Sequence, residues 1–145
     1  MKKPFSKKKD AYQRNFIKLP SDLSHYINHQ KVKAEMFYLY ALIIDYYNED
    51  EFGYAFPNKD TLALKYGKTT RTTGDHLSIL RDIGLIEIIE GTIHGNAYVP
   101  YEPLTSEEFY ERYPDAWDNY LESLRKLEES RKQASLRMAR YRDKD

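Results

Sequence analysis

The segment from Pro57 to Ile86 constrains the fold of this chain most, because it carries the start and stop signals of two short helices. Asn58 can cap the first helix through its side-chain oxygen. Gly67 can end that helix in the left-handed conformation that glycine adopts easily. The apolar residues between them predict a buried side formed by Leu62, Ala63, Leu64 and Tyr66.

The second helix of this segment is predicted to begin after a cap at Thr69 or Thr70 and to end at Gly84. Its apolar residues recur at a spacing of three, which predicts one inward stripe made of Leu77, Leu80 and Ile83. The opposite face carries residues that suit contact with base edges or phosphates better than a core: Thr70, Arg71, Gly74, Asp75 and Ser78. The segment therefore predicts a helix-turn-helix with one polar face turned outward.

These signals resemble the winged helix-turn-helix of bacterial transcription regulators and of plasmid and phage replication initiators. The resemblance covers residues 16–101 and rests on Pro57, Asp60-Thr61-Leu62-Ala63, Gly67, Thr69, Arg71-Thr72, Leu77, Leu80 and Gly84-Leu85-Ile86. It implies a mainly α fold with a small β-hairpin wing, followed in this chain by a long C-terminal helix. Two departures are Thr73, where the family has an apolar residue, and Gly74-Asp75, where polar or basic residues are common.

The segments around the helix-turn-helix fit the same fold. Residues 31–47 are apolar nearly all round, which predicts a helix buried on more than one side. Residues 54–56 suit a short first strand. Residues 85–90 and 97–101 are predicted to form two strands, and the glycine-bounded connection 91–96 favours a hairpin between them. This hairpin would be the wing.

The resemblance implies double-stranded DNA as the partner, with the helix 69–83 in the major groove. Arg71 is the candidate for recognising guanine, and Asp75 would either accept from cytosine or hold Arg71 in place. The expected phosphate contacts are Asn58, Lys59, Lys68, Thr69 and Thr70, and the same surface includes Thr72, Gly74 and Ser78. The wing tip offers Thr92, His94 and Asn96 to phosphate or sugar.

Charge is segregated along the chain, although 23 basic and 23 acidic residues give a formal net charge of zero. Residues 1–15 are basic and polar, which predicts a disordered arm that follows DNA or, alternatively, a solubilising tail.

The chain contains no cysteine, which excludes disulfides and thiol catalysis. Its longest apolar run, residues 36–44, is far shorter than the ~20 residues that cross a bilayer. We expect a soluble, cytoplasmic protein without membrane association.

Residues 104–145 are predicted to form a helical extension. An apolar heptad seam interrupted only by Arg131 favours self-association as a coiled-coil homodimer, through Trp117, Tyr120, Leu124, Leu127, Arg131, Ala134, Met138 and Tyr141. The alternatives are a helix that folds back on its own domain, a far end that binds nucleic acid, and a protein partner. Such a partner would bind the helix or the acidic segment, which runs from Glu102 to Glu122. The predicted organisation therefore has three parts: the basic arm 1–15, the winged domain 16–103 and the extension 104–145.

No catalytic motif is recognised, and we predict no enzyme, no cofactor and no metal site. His25 and His29 share a helical spacing, but no third ligand accompanies them. The leading hypothesis is a dimeric transcription regulator that binds double-stranded DNA with sequence preference. Two alternatives stay open: a plasmid or phage replication initiator, and a winged-helix scaffold for protein interactions that does not bind DNA.

Overall fold

The computed structural model describes residues 1–8 and 16–143 of the chain. Residues 9–15 of the predicted basic arm and the last two residues of the extension therefore lie outside the described part. The chain forms two compact units, one of Met1–Pro20 with Glu35–Tyr101 and one of Ser21–Ala34 with Glu102–Asp145. The sequence had placed residues 21–34 in the winged domain, whereas the structure groups them with the C-terminal helices.

The fold is mainly helical, with one two-stranded antiparallel hairpin and a long C-terminal helix. A short 3-10 helix belongs to the second unit and spans Ser21–Asn28. The remaining elements, in chain order, are α1 (Met36–Tyr46), α2 (Lys59–Tyr66), α3 (Thr70–Asp82), β1 (Ile86–Thr92), β2 (Gly95–Pro100), α4 (Ser106–Arg112) and α5 (Pro114–Asp143). In the described part of the chain, no helix combines the length and apolar character needed to cross a membrane.

Helix α1 forms the centre of the first unit, but it begins at Met36 rather than at the predicted Lys31. His29 forms a turn a few residues before this helix. Its ring accepts from the N–H of Lys31 at 3.1 Å, and its carbonyl accepts from the N–H of Val32 at 3.0 Å. Met36, Leu39 and Ile43 of α1 have no exposed surface, in keeping with the predicted burial.

The caps of α2 and α3 confirm the signals that predicted them. The side-chain oxygen of Asn58 accepts from the N–H of Thr61 at 2.7 Å, and Gly67 ends α2 at a φ of 74°. Thr69, rather than Thr70, caps α3 by accepting from the N–H of Thr72 at 3.1 Å. These local hydrogen bonds fix the tight turn between the two helices.

One residue of the predicted apolar side of α2 was placed wrongly. Leu64 is 84% exposed, whereas Leu62, Ala63 and Tyr66 are buried. Two residues correspond to about 200° around a helix, so a buried Leu62 turns Leu64 away from the core.

The inward side of α3 is wider than the predicted stripe. Leu77, Leu80 and Ile83 are buried as expected, and His76 is buried beside them. A hydrogen bond of 2.8 Å joins the Tyr66 hydroxyl to Nδ1 of His76. Burial, with a smaller contribution from nearby Glu35, raises the pKa of Tyr66 to about 12, so the phenol keeps its proton at neutral pH. This hydrogen bond ties α2 to α3.

Thr73, which the sequence analysis identified as a departure from the apolar residue of the family it resembles, is fully buried. Within the described residues, its hydroxyl has no hydrogen-bond partner. Because a buried hydroxyl without a partner is unfavourable, Thr73→Val should stabilise the protein by about 1 kcal/mol. A rise in the urea midpoint at unchanged m-value, followed by circular dichroism, would show this. Thr70→Val, at an exposed position, is the control, and a lower midpoint for Thr73→Val would contradict the prediction.

The predicted wing is present and tighter than expected. Strands β1 and β2 pair antiparallel with Ile88 opposite Tyr98, and an irregularity separates Ile89 from Thr92. The strands approach until only two residues lie between them, instead of the six predicted. The predicted first strand, residues 54–56, is reduced to an isolated pair in which Ala55 and Tyr98 exchange two backbone hydrogen bonds of 2.7 Å.

The second unit is organised around Phe109 of α4, which is fully buried. Its ring lies 4.4 Å from that of Tyr26 on the 3-10 helix. The Leu104 N–H donates to the Tyr26 hydroxyl at 2.8 Å, and Nε2 of His25 donates to the Leu104 carbonyl at 2.7 Å. Thr105 and Glu108 form a reciprocal capping box at the start of α4, where the sequence predicted a helix start.

Helix α5 begins at Pro114 and buries Ala116 in its first turn. All side chains from residue 121 to residue 143 are exposed. Whether this part of the helix associates with a second chain or with its own domain stays a prediction. The exposed helix leaves its apolar residues available to a partner.

Candidate nucleic-acid interface

The outward face of α3 is the candidate interface, because the buried stripe on the other side of the helix fixes its direction. Thr70, Arg71 and Asp75 are exposed, and Gly74 and Ser78 are half-buried. The first turn of α3 directly follows the turn at Gly67, so its exposed residues lie beside the end of α2. This placement brings the predicted base-reading residues to one surface.

Arg71 and Asp75 are one turn apart but do not form an ion pair in the described part of the chain. Asp75 therefore does not hold Arg71 through an ion pair in this structure, and the two alternative roles of Asp75 at DNA stay predictions. The other arginine of α3, Arg81, pairs with Asp82 at 3.2 Å. Arg71 thus differs from Arg81 in having no carboxylate within ion-pair distance among residues 1–8 and 16–143.

Lys59, in the first turn of α2, extends across to α3. A Cβ atom built on Gly74 would lie 3.2 Å from Nζ of Lys59 and 3.5 Å from its Cε. The missing side chain at position 74 therefore leaves room for this ammonium group on the outward face of α3. The structure therefore brings together Lys59 and Gly74, which the sequence analysis had predicted separately as parts of the DNA-binding surface.

Lys68 was predicted to contact phosphate, and the structure pairs it with Glu35 at 3.2 Å. The two side chains are 37% and 39% exposed, and such surface pairs contribute only about 0–1 kcal/mol. A phosphate can therefore replace Glu35 at small cost. The contact of Lys68 with phosphate stays a prediction.

Three further predicted contacts already make hydrogen bonds inside the protein. The side-chain oxygens of Asn58 and Thr69 serve as helix caps. The Ser78 hydroxyl donates to the carbonyl of Gly74 at 3.2 Å. Thr72, the last residue predicted for this surface, is half-buried and donates its N–H to the Thr69 cap. These residues shape the turn and the helix start.

Two of the three wing-tip residues predicted to contact DNA also make contacts inside the first unit. The Thr92 hydroxyl donates to the Gly95 carbonyl at 2.6 Å and accepts from the His94 N–H at 3.1 Å. The His94 ring stacks on Phe56 with ring centres 4.0 Å apart. Thr92 and His94 are therefore engaged within the unit, while Asn96 and the 92%-exposed Ile93 face outward.

An aromatic cluster packs against the wing, and the sequence analysis did not predict it. Phe52, Tyr54 and Phe56 surround His94, and a 3.1 Å hydrogen bond joins the Tyr54 hydroxyl to Nδ1 of His94. The three aromatic residues alternate with other residues, which is a period-two signal. The sequence shows that spacing, but His94, which the three rings surround, lies about 40 residues further along the chain.

The first two residues of the predicted self-association seam of α5 make contacts within their own unit. Trp117 and Tyr120 pack against Tyr110 of the same unit, with ring centres 5.1 Å and 6.1 Å apart. The other seam residues are exposed, and these are Leu124, Leu127, Arg131, Ala134, Met138 and Tyr141. Trp117 and Tyr120 also keep exposed surface, 43% and 38%, so the exposed part of the seam runs from Trp117 to Tyr141.

No protein-family model matches this chain, and no curated protein matches it. A solved structure, the N-terminal domain of a DNA-binding protein, resembles it with a TM-score of 0.52 at 17% sequence identity. The match covers 77% of this chain and 92% of that one. The two proteins share a fold.

Proposed function

We propose that this chain binds double-stranded DNA with sequence preference through α3. The observation that carries the proposal is the orientation of α3, whose apolar stripe is buried while Arg71 and Asp75 are exposed. The fold shared with the N-terminal domain of a DNA-binding protein supports it.

In this proposal the first half of α3 enters the major groove. Arg71 donates two hydrogen bonds to a guanine, which discriminates against other bases by about 1–3 kcal/mol. Asp75 accepts from the amino group of cytosine, and its charge disfavours arrangements that bring it near phosphate. Lys59 adds a positive charge beside α3, and Lys2, Lys3, Lys7 and Lys8 of the arm add affinity that salt weakens.

The direct test is selection of duplexes from a random pool by the full chain, followed by titration of the selected duplex at several salt concentrations. We expect one enriched sequence and a logarithmic affinity that falls with log salt by about 0.9 for each phosphate contacted. The absence of binding to any duplex at low salt would favour the scaffold alternative.

We further propose that the protein acts as a homodimer and as a transcription regulator. The exposed apolar seam from Leu124 to Tyr141 supports the dimer. A two-fold dimer would bind an inverted repeat. Mapping of bound sites in cells tests the biological role, because sites at promoters support regulation and a repeat array at an origin supports replication initiation.

A chain ending at Tyr120 should be monomeric in light scattering, whereas the full chain should have the mass of a dimer. This end point keeps the residues that pack with Ser21–Ala34, while ending the chain after Pro103 would remove Phe109 and expose Tyr26. The shortened chain should also retain the circular dichroism of the folded units. An unchanged dimer mass after removal of residues 121–145 would reject the role assigned to the seam.

A further inference from the structure

A cavity of about 530 Å³ lies within the second unit, between α4 and the first turns of α5. Its apolar surface is provided by Tyr110, Pro114 and Trp117. The rings of Tyr110 and Trp117 meet edge to face at 5.1 Å, and Trp117 remains 43% exposed. Exposed apolar surface collected in one groove is typical of an interaction site.

Three carboxylates line the same cavity: Glu107 and Glu111 on α4 and Asp118 on α5. Across residues 1–8 and 16–143, none of the three forms an ion pair. Their neighbour Glu108 behaves differently, because its side chain closes the capping box with Thr105. The cavity thus combines exposed ring surface with three negative charges that no cation of the described chain pairs with.

The geometry points to a docking site for a basic segment of another protein, in which an arginine lies next to an apolar residue. The apolar side chain contacts Pro114 and the rings, and the guanidinium stacks on Trp117 or Tyr110 while pairing with the carboxylates. Arginine suits this combination because it stacks on aromatic rings and binds carboxylates through a planar fork. The same charges repel nucleic acid, so a basic protein segment suits this groove better than DNA.

The single tryptophan of the chain lies in the groove and reports binding directly. The probes are three synthetic peptides of equal length with the repeats Arg-Leu, Gln-Leu and Glu-Leu, added to the full chain while Trp117 emission is recorded. We expect a saturable change with the Arg-Leu peptide, about tenfold weaker binding of the Gln-Leu peptide, and none of the Glu-Leu peptide. No saturable change, or equal binding of the Arg-Leu and Gln-Leu peptides, would overturn the proposal.

The variant Glu107→Gln/Glu111→Gln keeps side-chain size and should weaken the Arg-Leu peptide about tenfold. The matched control is Glu128→Gln/Glu129→Gln, on the exposed part of α5 outside the cavity, which should leave the affinity within about twofold. Equal weakening by both variants would mean general charge attraction and would overturn the site. If the double variant loses its helical circular dichroism, the single variant Glu111→Gln replaces it. This single variant should weaken binding of the Arg-Leu peptide about threefold. Arg71→Ala should bind the peptide normally, which separates this proposal from DNA binding.

Discussion

Replacing Phe109 with alanine is expected to destabilise the second unit by about 3–5 kcal/mol, the largest effect of any single substitution proposed for this chain. The ring is fully buried and contacts rings both near to it in sequence and more than 80 residues away. Its centre lies 4.4 Å from that of Tyr26, 5.1 Å from His25 and 5.2 Å from Tyr113. Alanine would leave a cavity that surrounding rings fill poorly.

Urea unfolding monitored by Trp117 emission measures this effect in the second unit, because Trp117 packs on Tyr110 next to Phe109. The matched control is Leu136→Ala on the exposed part of α5, where the side chain is 51% exposed and the change should stay within about 0.5 kcal/mol. A Phe109→Ala midpoint equal to that of the control would contradict the central role of this ring.

The helix-turn-helix could be predicted from the sequence because its signals are local. The caps at Asn58 and Thr69 and the stop at Gly67 depend on neighbours within four residues. The inward stripe of α3 follows from a spacing of three. The hairpin followed from its bounding glycines, although its connection proved shorter than the sequence suggested.

The division into units was not predictable in the same way. The bonds that join His25 to Leu104 and Asn28 to Tyr110 connect residues 79 and 82 positions apart. A single sequence shows that both segments are apolar enough to pack, but not that they pack together. Only the tertiary structure reveals this pairing.

The direction of side chains within the candidate interface could not be predicted from the sequence either. Lys68 and His94 each carry groups suited to phosphate, yet their nearest partners are Glu35 and the Phe52–Phe56 cluster. Sequence identifies what a residue can bind, whereas packing decides whether it is free to do so. Arg71 and Asp75 are the base-reading candidates that retain their predicted exposure.

Arg71→Ala should therefore weaken binding to the selected duplex by about 5- to 150-fold, which corresponds to the ~1–3 kcal/mol of a bidentate arginine–guanine contact. Binding to random duplexes should fall much less, because those complexes rest on phosphate contacts. Fluorescence anisotropy with both duplexes, at one fixed salt concentration, measures the two affinities.

Arg81→Ala provides the matched control, since it removes the same charge from the same helix. Arg81 is engaged with Asp82 at the far end of α3, so its loss should change both affinities similarly and by less than about fivefold. Equal losses of selected-duplex affinity in the two variants would mean that α3 contributes charge alone. An unchanged affinity for Arg71→Ala would remove α3 from the major groove.

Arg71→Lys distinguishes recognition from attraction most sharply. Lysine keeps the positive charge but lacks the planar fork that binds two acceptors of one base. The slope of log affinity against log salt should therefore match the wild-type slope, because the number of neutralised phosphates is the same. Discrimination between the selected and random duplexes should fall towards that of Arg71→Ala. Retention of full discrimination by lysine would assign sequence preference to contacts outside Arg71.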